Sequence, residues 1–306
     1  MDMRASDYEI LYDLPSGEYD GRRVEGVRTV TIRAGRSLEV MVHPTNRLTA
    51  EARREAQARR TRPAVAKINA RNRERHIMRL FEENFSKAAY VITLTYAYPA
   101  EEYGMANLKD LVGTYEERGL PWEMWRVKAD VRNYLAKLRR RVIRETGSAE
   151  GFKWLFRIEE GKESPLYGLP PKFHVHAVIE APGVSRETMD ALWDHGSTTC
   201  EHFRLNDDGA ARLAKYMNKP KPRNDGRGGE GRCWSHSRNL IIPQPRVSDR
   251  KISRRRLSKI AADVRRDGKE ILEGLYPGYR LVAEPEVRFS DFAAGAYIYA
   301  RLRRRE

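Results

Sequence analysis

Short β-prone runs alternating with amphipathic helical stretches predict a mixed α/β protein, of the α+β kind, and three observations carry that prediction. Runs such as Val91-Ile92-Thr93-Leu94-Thr95 and the segment 172–180 concentrate β-branched residues that fit a pleated surface. The segment 121–146 instead places Trp125, Tyr134, Leu135, Leu138, Val142 and Ile143 on one helical face, with Lys137, Arg139, Arg140, Arg141 and Arg144 charging its later turns. A chain of 306 residues with 40% hydrophobic content is long enough for a packed core and sets a prior of roughly two domains.

Taken in order, 24–32 and 37–43 read as strands joined through Ala34-Gly35-Arg36, a hairpin with Gly35 in the turn. From 49 to 85 the pattern turns helical and is interrupted at Pro63, with Val65, Ile68, Ile77, Leu80 and Phe81 supplying one buried face. Its many arginines, among them Arg71, Arg73, Arg75 and Arg79, leave two readings open: a solvated basic helix, or one that contacts phosphate. Strand 88–98 and helix 121–146 are followed by strands 153–159 and 172–180, linked by a Gly/Pro loop at 161–171. Ser185 is placed to cap a short helix ending near Trp193. Residues 199–205 form a fourth strand, and 208–219 form a helix stopped by Pro220. The polar, glycine-rich stretch 220–232 is the best internal boundary. Beyond it, 248–267 reads as another basic helix, followed by β-prone 279–289 and 295–304. The expected division is therefore 1–85 (hairpin and basic helix), 86–225 (central α/β domain) and 226–306 (basic helix and strands).

Charge narrows the partners. Lys and Arg number 58 against 43 Asp and Glu, a formal net charge of +15, so the expected partner is polyanionic, either nucleic acid or an acidic membrane surface. No apolar run approaches the roughly 18 residues of a spanning helix, and no membrane association is expected. The first residues lack a basic segment followed by an apolar one, so no secretory signal is read and a cytoplasmic location is expected. Cys200 and Cys233 are too few for a disulfide framework and have no CxxC zinc spacing. Neither GxxxxGK[ST] nor GxGxxG occurs, which leaves no evident nucleotide-driven motor.

Two clusters could do chemistry. His174-Val175-His176 lies in a strand, where residues two apart point to one face, so both imidazoles can reach one metal ion. Imidazole suits Mn, Zn, Ni or Co and tolerates Mg when carboxylate and phosphate oxygens complete the shell. If strands 153–159 and 172–180 pair, Glu159 or Glu160 can supply a third ligand; Glu180 shares the histidine parity but sits at the far end. The second cluster is Lys215-Tyr216-Met217-Asn218-Lys219, where Tyr216 and Lys219 share a helix face. A phenol attacking a phosphodiester needs a cation or metal to activate the electrophile. The bland alternatives are a packing tyrosine beside a surface lysine, and His195, His202 and His236 as turn or surface residues. Trp122 and Trp125 read as anchors of the long helix, and the threonines of 93–95 as plain strand chemistry.

In this order VITLTY (91–96), FRIEEG (156–161), FHVHAVIE (173–180) and LAKYMNK (213–219) resemble the motif series of the HUH endonucleases. More closely, the chain resembles the rolling-circle replication initiators of filamentous phages and small circular replicons. The segments 69–85, 232–243 and 275–282 extend the likeness over about 24–306. The resemblance implies a ferredoxin-like or RRM-like antiparallel sheet with helices packed on it, carrying Glu159, His174 and His176 as ligands of one Mg²⁺ or Mn²⁺. It implies Tyr216 as the nucleophile and Lys219 as the lysine of its YxxK motif. The family reaction nicks single-stranded origin DNA, keeps the 5′ phosphate on the tyrosine and releases a 3′ hydroxyl. No further cofactor is implied; a host helicase and polymerase are the expected partners, and the oligomeric state is left open. Position 220 is proline and no second tyrosine follows nearby, so a single-tyrosine mechanism is expected. The competing readings are a non-catalytic DNA-binding or packaging protein on the same fold, and a relaxase or single-tyrosine transposase.

Overall fold

The computed structural model describes residues 26–45, 62–96, 124–160, 173–205, 210–218, 234–290 and 293–305. Among these residues the fold is α+β: two antiparallel sheets and six helices, in two compact units.

The first unit comprises the described parts of Met1–Glu83, Leu205–Asn218 and Ile241–Glu306. Strands β1 (Gly26–Ala34) and β2 (Ser37–Thr45) form the expected hairpin, with Ala34 paired to Ser37. Gly35 has φ 52°, and a Cβ there would lie 2.1 Å from the Glu82 carbonyl oxygen, so the turn admits only glycine. The hairpin is extended by β8 (Pro245–Ser248) beside β1 and β11 (Ala293–Arg304) beside β2. Strand β10 (Glu286–Ser290) pairs outside β11, to which β9 (Tyr279–Leu281) also pairs. The run expected over 279–289 is thus two strands, separated by a stretch that contains Pro285.

Both faces of this sheet are covered. Helix α1 (Arg62–Asn84) lies on the face that carries Glu39 and Tyr299. Arg79 donates from Nε and Nη2 to the two carboxylate oxygens of Glu39, each at 2.8 Å. The Arg75 guanidinium stands 3.5 Å from the centre of the Tyr299 ring, and Arg303 pairs with Glu82 at 3.3 Å. For Arg75 and Arg79 neither open reading of the basic helix holds, because these arginines are turned inward and fasten the helix to the sheet. The opposite face packs Leu38, Val40, Val42 and Ile298 against Leu257, Ile260 and Leu272 of α5 (Arg254–Ala262) and α6 (Asp267–Leu275). The single basic helix expected at 248–267 is therefore replaced by two short helices. Ser253 caps the first by accepting from Arg256 N, and the chain turns where the Asp263 carboxylate accepts from Arg266 N at 2.9 Å. Each helix is too short to be stable alone and is held by the apolar stripe it buries.

The second unit comprises the described parts of Asn84–Arg204 and Lys219–Leu240. It runs β3 (Tyr90–Tyr96), α2 (Met124–Thr146), β4 (Lys153–Glu160), β5 (Phe173–Glu180), α3 (Arg186–Ala191) and β6 (Gly196–His202), with β7 (Trp234–His236) added at one edge. The sheet order is β6-β3-β5-β4-β7, all antiparallel. A βαββαβ chain in which the third strand lies between the first two is the split-βαβ arrangement of ferredoxin-like domains. Helix α2 presents Val127, Val131, Tyr134, Leu135, Leu138 and Val142 to Ile92, Leu94, Phe156, Ile158, Val175, Ala177 and Ile179. The Ser185 cap forms as expected, its hydroxyl accepting from Thr188 N. Cys200 belongs to this core, and burial pushes its thiol up to about 11. Trp122, Cys233 and the loop 220–232 lie outside the described residues, as does the side chain of Trp125.

Candidate active site

The core residues of β5 are Phe173, Val175, Ala177 and Ile179, so strand alternation sends His174 and His176 to the sheet face that α2 and α3 do not cover. The same alternation sends Arg157 and Glu159 of β4, and Thr93 and Thr95 of β3, to that face. Register completes the arrangement. Glu159 lies directly opposite His174, Arg157 opposite His176, Thr95 opposite His174 and Thr93 opposite His176. The expected pairing of 153–159 with 172–180 is therefore present, and it brings the carboxylate of Glu159 to 3.3 Å from His176 Nε2.

His176 is held from both ring nitrogens. Its Nδ1 is hydrogen-bonded to the Thr93 hydroxyl at 3.1 Å while its Nε2 faces Glu159. The ring is 8% exposed as a residue, whereas the Glu159 side chain keeps 24% of its surface, so the pair is sheltered but reachable. Among the described residues no three His, Cys, Asp or Glu groups already gather around one point. What is gathered is an oriented nitrogen–oxygen pair, with His174 facing Glu159 across the strands. One carboxylate and two imidazoles on one face suit a divalent cation, and Thr93 fixes the orientation of one imidazole as outer hydrogen bonds to metal-binding histidines do.

The other expected residues fall as follows. Glu180 is occupied as a structural acceptor, taking the Ser86 N–H at 2.8 Å, at the far end of the sheet. The side chain of Glu160 and the whole of Lys219 lie outside the described residues. Tyr216 sits on α4 (Ala211–Met217), a short helix of the first unit. Ala210, Ala214 and Met217 form its buried face, and the helix is tied down at both ends. Ala210 N donates to Glu82 at 3.0 Å, and Asn218 Nδ2 donates to the Ala70 carbonyl at 2.6 Å. Tyr216 points elsewhere and is 39% exposed, so it is not the packing residue of the bland alternative.

His195 lies at the opposite end of the core face. Its ring meets Trp193 at 4.9 Å and Tyr96 at 5.8 Å, and its Nε2 is 3.7 Å from Asp130. Burial, and then the hydrogen bond to Asp130, pushes the Tyr96 phenol far above its ordinary range. His202 stacks on Tyr90 at 4.6 Å, and His236 on Trp234 at 5.7 Å. None of the three joins the Glu159 face. Thr93 is the residue that the sequence reading passed over. Its signal was the matching two-residue spacing of Thr93/Thr95 and His174/His176, which becomes informative only once the two strands are known to pair.

Residues 89–221 match a family model described as replication-associated protein ORF2. That match supports a replication initiator. It spans β3 through α4, hence both the His/Glu face and Tyr216. No curated protein and no solved structure matches the chain. Among the described residues no helix is long and apolar enough to cross a membrane.

Proposed function

We propose that this protein is an HUH-type, rolling-circle replication initiator that nicks and rejoins single-stranded origin DNA through a covalent bond to Tyr216. The observation that carries this reading is the Glu159–His176 pair at 3.3 Å, backed by His174 in register and lying within the stretch matched by the replication family. Glu159, His174 and His176 would hold one Mg²⁺ or Mn²⁺. When bound, that ion supplies positive charge to a phosphate oxygen and makes the phosphorus a better electrophile.

The chain's own residues do the rest. The Tyr216 hydroxyl gives up its proton, its oxygen bonds to phosphorus, and the bond from phosphorus to the 3′ oxygen breaks. The leaving oxygen takes up a proton and departs as a 3′ hydroxyl, while the 5′ phosphate stays on the tyrosine. Bond type is conserved, so rejoining by the reverse step needs no nucleotide. Lys219 is assigned to stabilise charge near the phenol. Thr93 holds the His176 ring so that Nε2 stays turned toward Glu159. A host helicase and polymerase would open and copy the strand in the cytoplasm of the host cell, since the chain has no nucleotide-binding loop of its own.

The test is incubation with labelled single-stranded oligonucleotides that tile the element's origin, with Mn²⁺ or with EDTA, resolved on a denaturing gel. A metal-dependent protein–DNA adduct, absent from Tyr216→Phe, is expected. Binding without an adduct across the whole origin would instead identify a non-catalytic DNA-binding protein.

A further inference from the structure

The first unit holds a groove of about 770 Å³, within the usual range of about 300–1,000 Å³ for ligand sites, that plays no part in the chemistry above. Its floor is the edge of the six-stranded sheet, where Thr31 of β1 pairs with Arg246 of β8 and Arg33 projects from the same face. Its wall is the segment after α6, with Tyr276 and Tyr279. Three cations line it, Arg33, Arg246 and Lys251, all exposed. The one acidic residue of the lining, Glu83, accepts the Gly35 N–H at 2.7 Å. The cations stand against aromatic faces: Lys251 Nζ is 4.9 Å from the Tyr276 ring centre, and the Arg33 guanidinium 5.9 Å from that of Tyr279. Beside them Ile241 and Ile242 are 60% and 47% exposed, unusual for isoleucine.

From this juxtaposition we infer that the groove between β8 and the α6–β9 segment is a binding site for single-stranded DNA, separate from the Tyr216 chemistry. Cations alone would fit any polyanion. Aromatic rings and exposed aliphatic side chains interleaved with them fit a strand whose bases are unstacked and available to apolar contact, which a duplex hides inside its helix. The site would grip a stretch of strand away from the bond being cut. This inference rests on the reading of the chain as a DNA-processing protein, but it is tested without any cleavage.

The experiment is fluorescence anisotropy of the full chain with a labelled oligothymidylate, which carries no origin sequence, over a range of salt. The exposed triple variant Arg33→Ser/Arg246→Ser/Lys251→Ser is expected to lose affinity at least about tenfold at low salt. Its slope of log affinity against log salt should flatten by about 2, since each phosphate contact to a single strand contributes about 0.7. Tyr279→Ala should weaken binding by about fivefold or more, through lost contact with a base. A control that removes three exposed cations outside the groove, Arg255→Ser/Lys259→Ser/Arg266→Ser, should change little. Wild-type affinity and slope in the groove variant, or an equal loss in the control, would overturn the site. Competition by duplex DNA as effective as by single strand would overturn the assignment of its occupant. Since no nicking is scored, failure of this binding leaves the Tyr216 reading standing, and absence of an adduct leaves the groove standing.

Discussion

The two sheets of this protein use polar residues in opposite ways. In the six-stranded sheet, helices lie on both faces, and the charges between layers are matched off: Glu39 is 2% exposed and its carboxylate takes both forks of Arg79. In the five-stranded sheet, α2 and α3 cover one face, and the other collects Thr93, Arg157, Glu159, His174 and His176 at adjoining register positions. There the carboxylate meets an imidazole, and both keep some exposure. A buried carboxylate with a forked cation is a fastening; a sheltered carboxylate beside two histidines on one strand face is a set of ligands. The difference teaches that charge serves architecture where its partner is fixed and opposite, and chemistry where donors of one kind converge.

The sharpest way to break this contrast is to remove one half of the fastening. Glu39→Ala leaves Arg79 without its bidentate partner beneath α1 and should destabilise the first unit by about 3–5 kcal/mol in urea unfolding. A loss below about 1 kcal/mol would place the pair with ordinary surface ion pairs.

How far the sequence reveals this contrast depends on which residues are asked. Alternation and spacing are local, so the hairpin at Gly35, the long helix, the Ser185 cap and the shared face of His174 and His176 were all legible. Partners across the sheet were not. Nothing local marks Arg75 and Arg79 as facing Tyr299 and Glu39 rather than water, because those partners lie on strands far away in sequence. The same holds for Thr93, whose meaning comes from a strand 83 residues away. The 248–267 stretch misled for a different reason: its apolar positions fit one helical face, and only the turn at Asp263 shows that two helices share it.

His43 offers a second test on the architectural side. It is fully buried on β2, and burial lowers its imidazole to about 4, opposed in part by its hydrogen bond to the Pro44 carbonyl. Between the ordinary value of 6.5 and about 4 the unfolded chain binds a proton that the folded chain refuses. Stability should therefore fall as pH drops through that window, by up to about 3 kcal/mol. Urea unfolding at about pH 7, about pH 5.5 and about pH 4 brackets the window and checks this, and His43→Leu should flatten the dependence. An unchanged slope in that variant would assign the acid sensitivity to other groups.

On the chemical side the smallest expected effect belongs to Thr93→Val, which keeps the side-chain shape and deletes the hydroxyl. It should weaken Mn²⁺ binding by about 10- to 100-fold, as losing an outer hydrogen bond to a ligating histidine does, with little change in unfolding midpoint. If metal affinity is untouched, the Thr93–His176 contact at 3.1 Å is only strand packing.

The most direct test of the whole account is calorimetric titration of Mn²⁺ into the wild-type chain, His176→Ala and Arg79→Met, with a urea melt of each. The account predicts one site in the wild type, no measurable site in His176→Ala at nearly unchanged stability, and an intact site in Arg79→Met despite a marked loss of stability. Equal Mn²⁺ binding in wild type and His176→Ala would contradict it, because the histidine face would then be part of the fold and not a place where a metal is held.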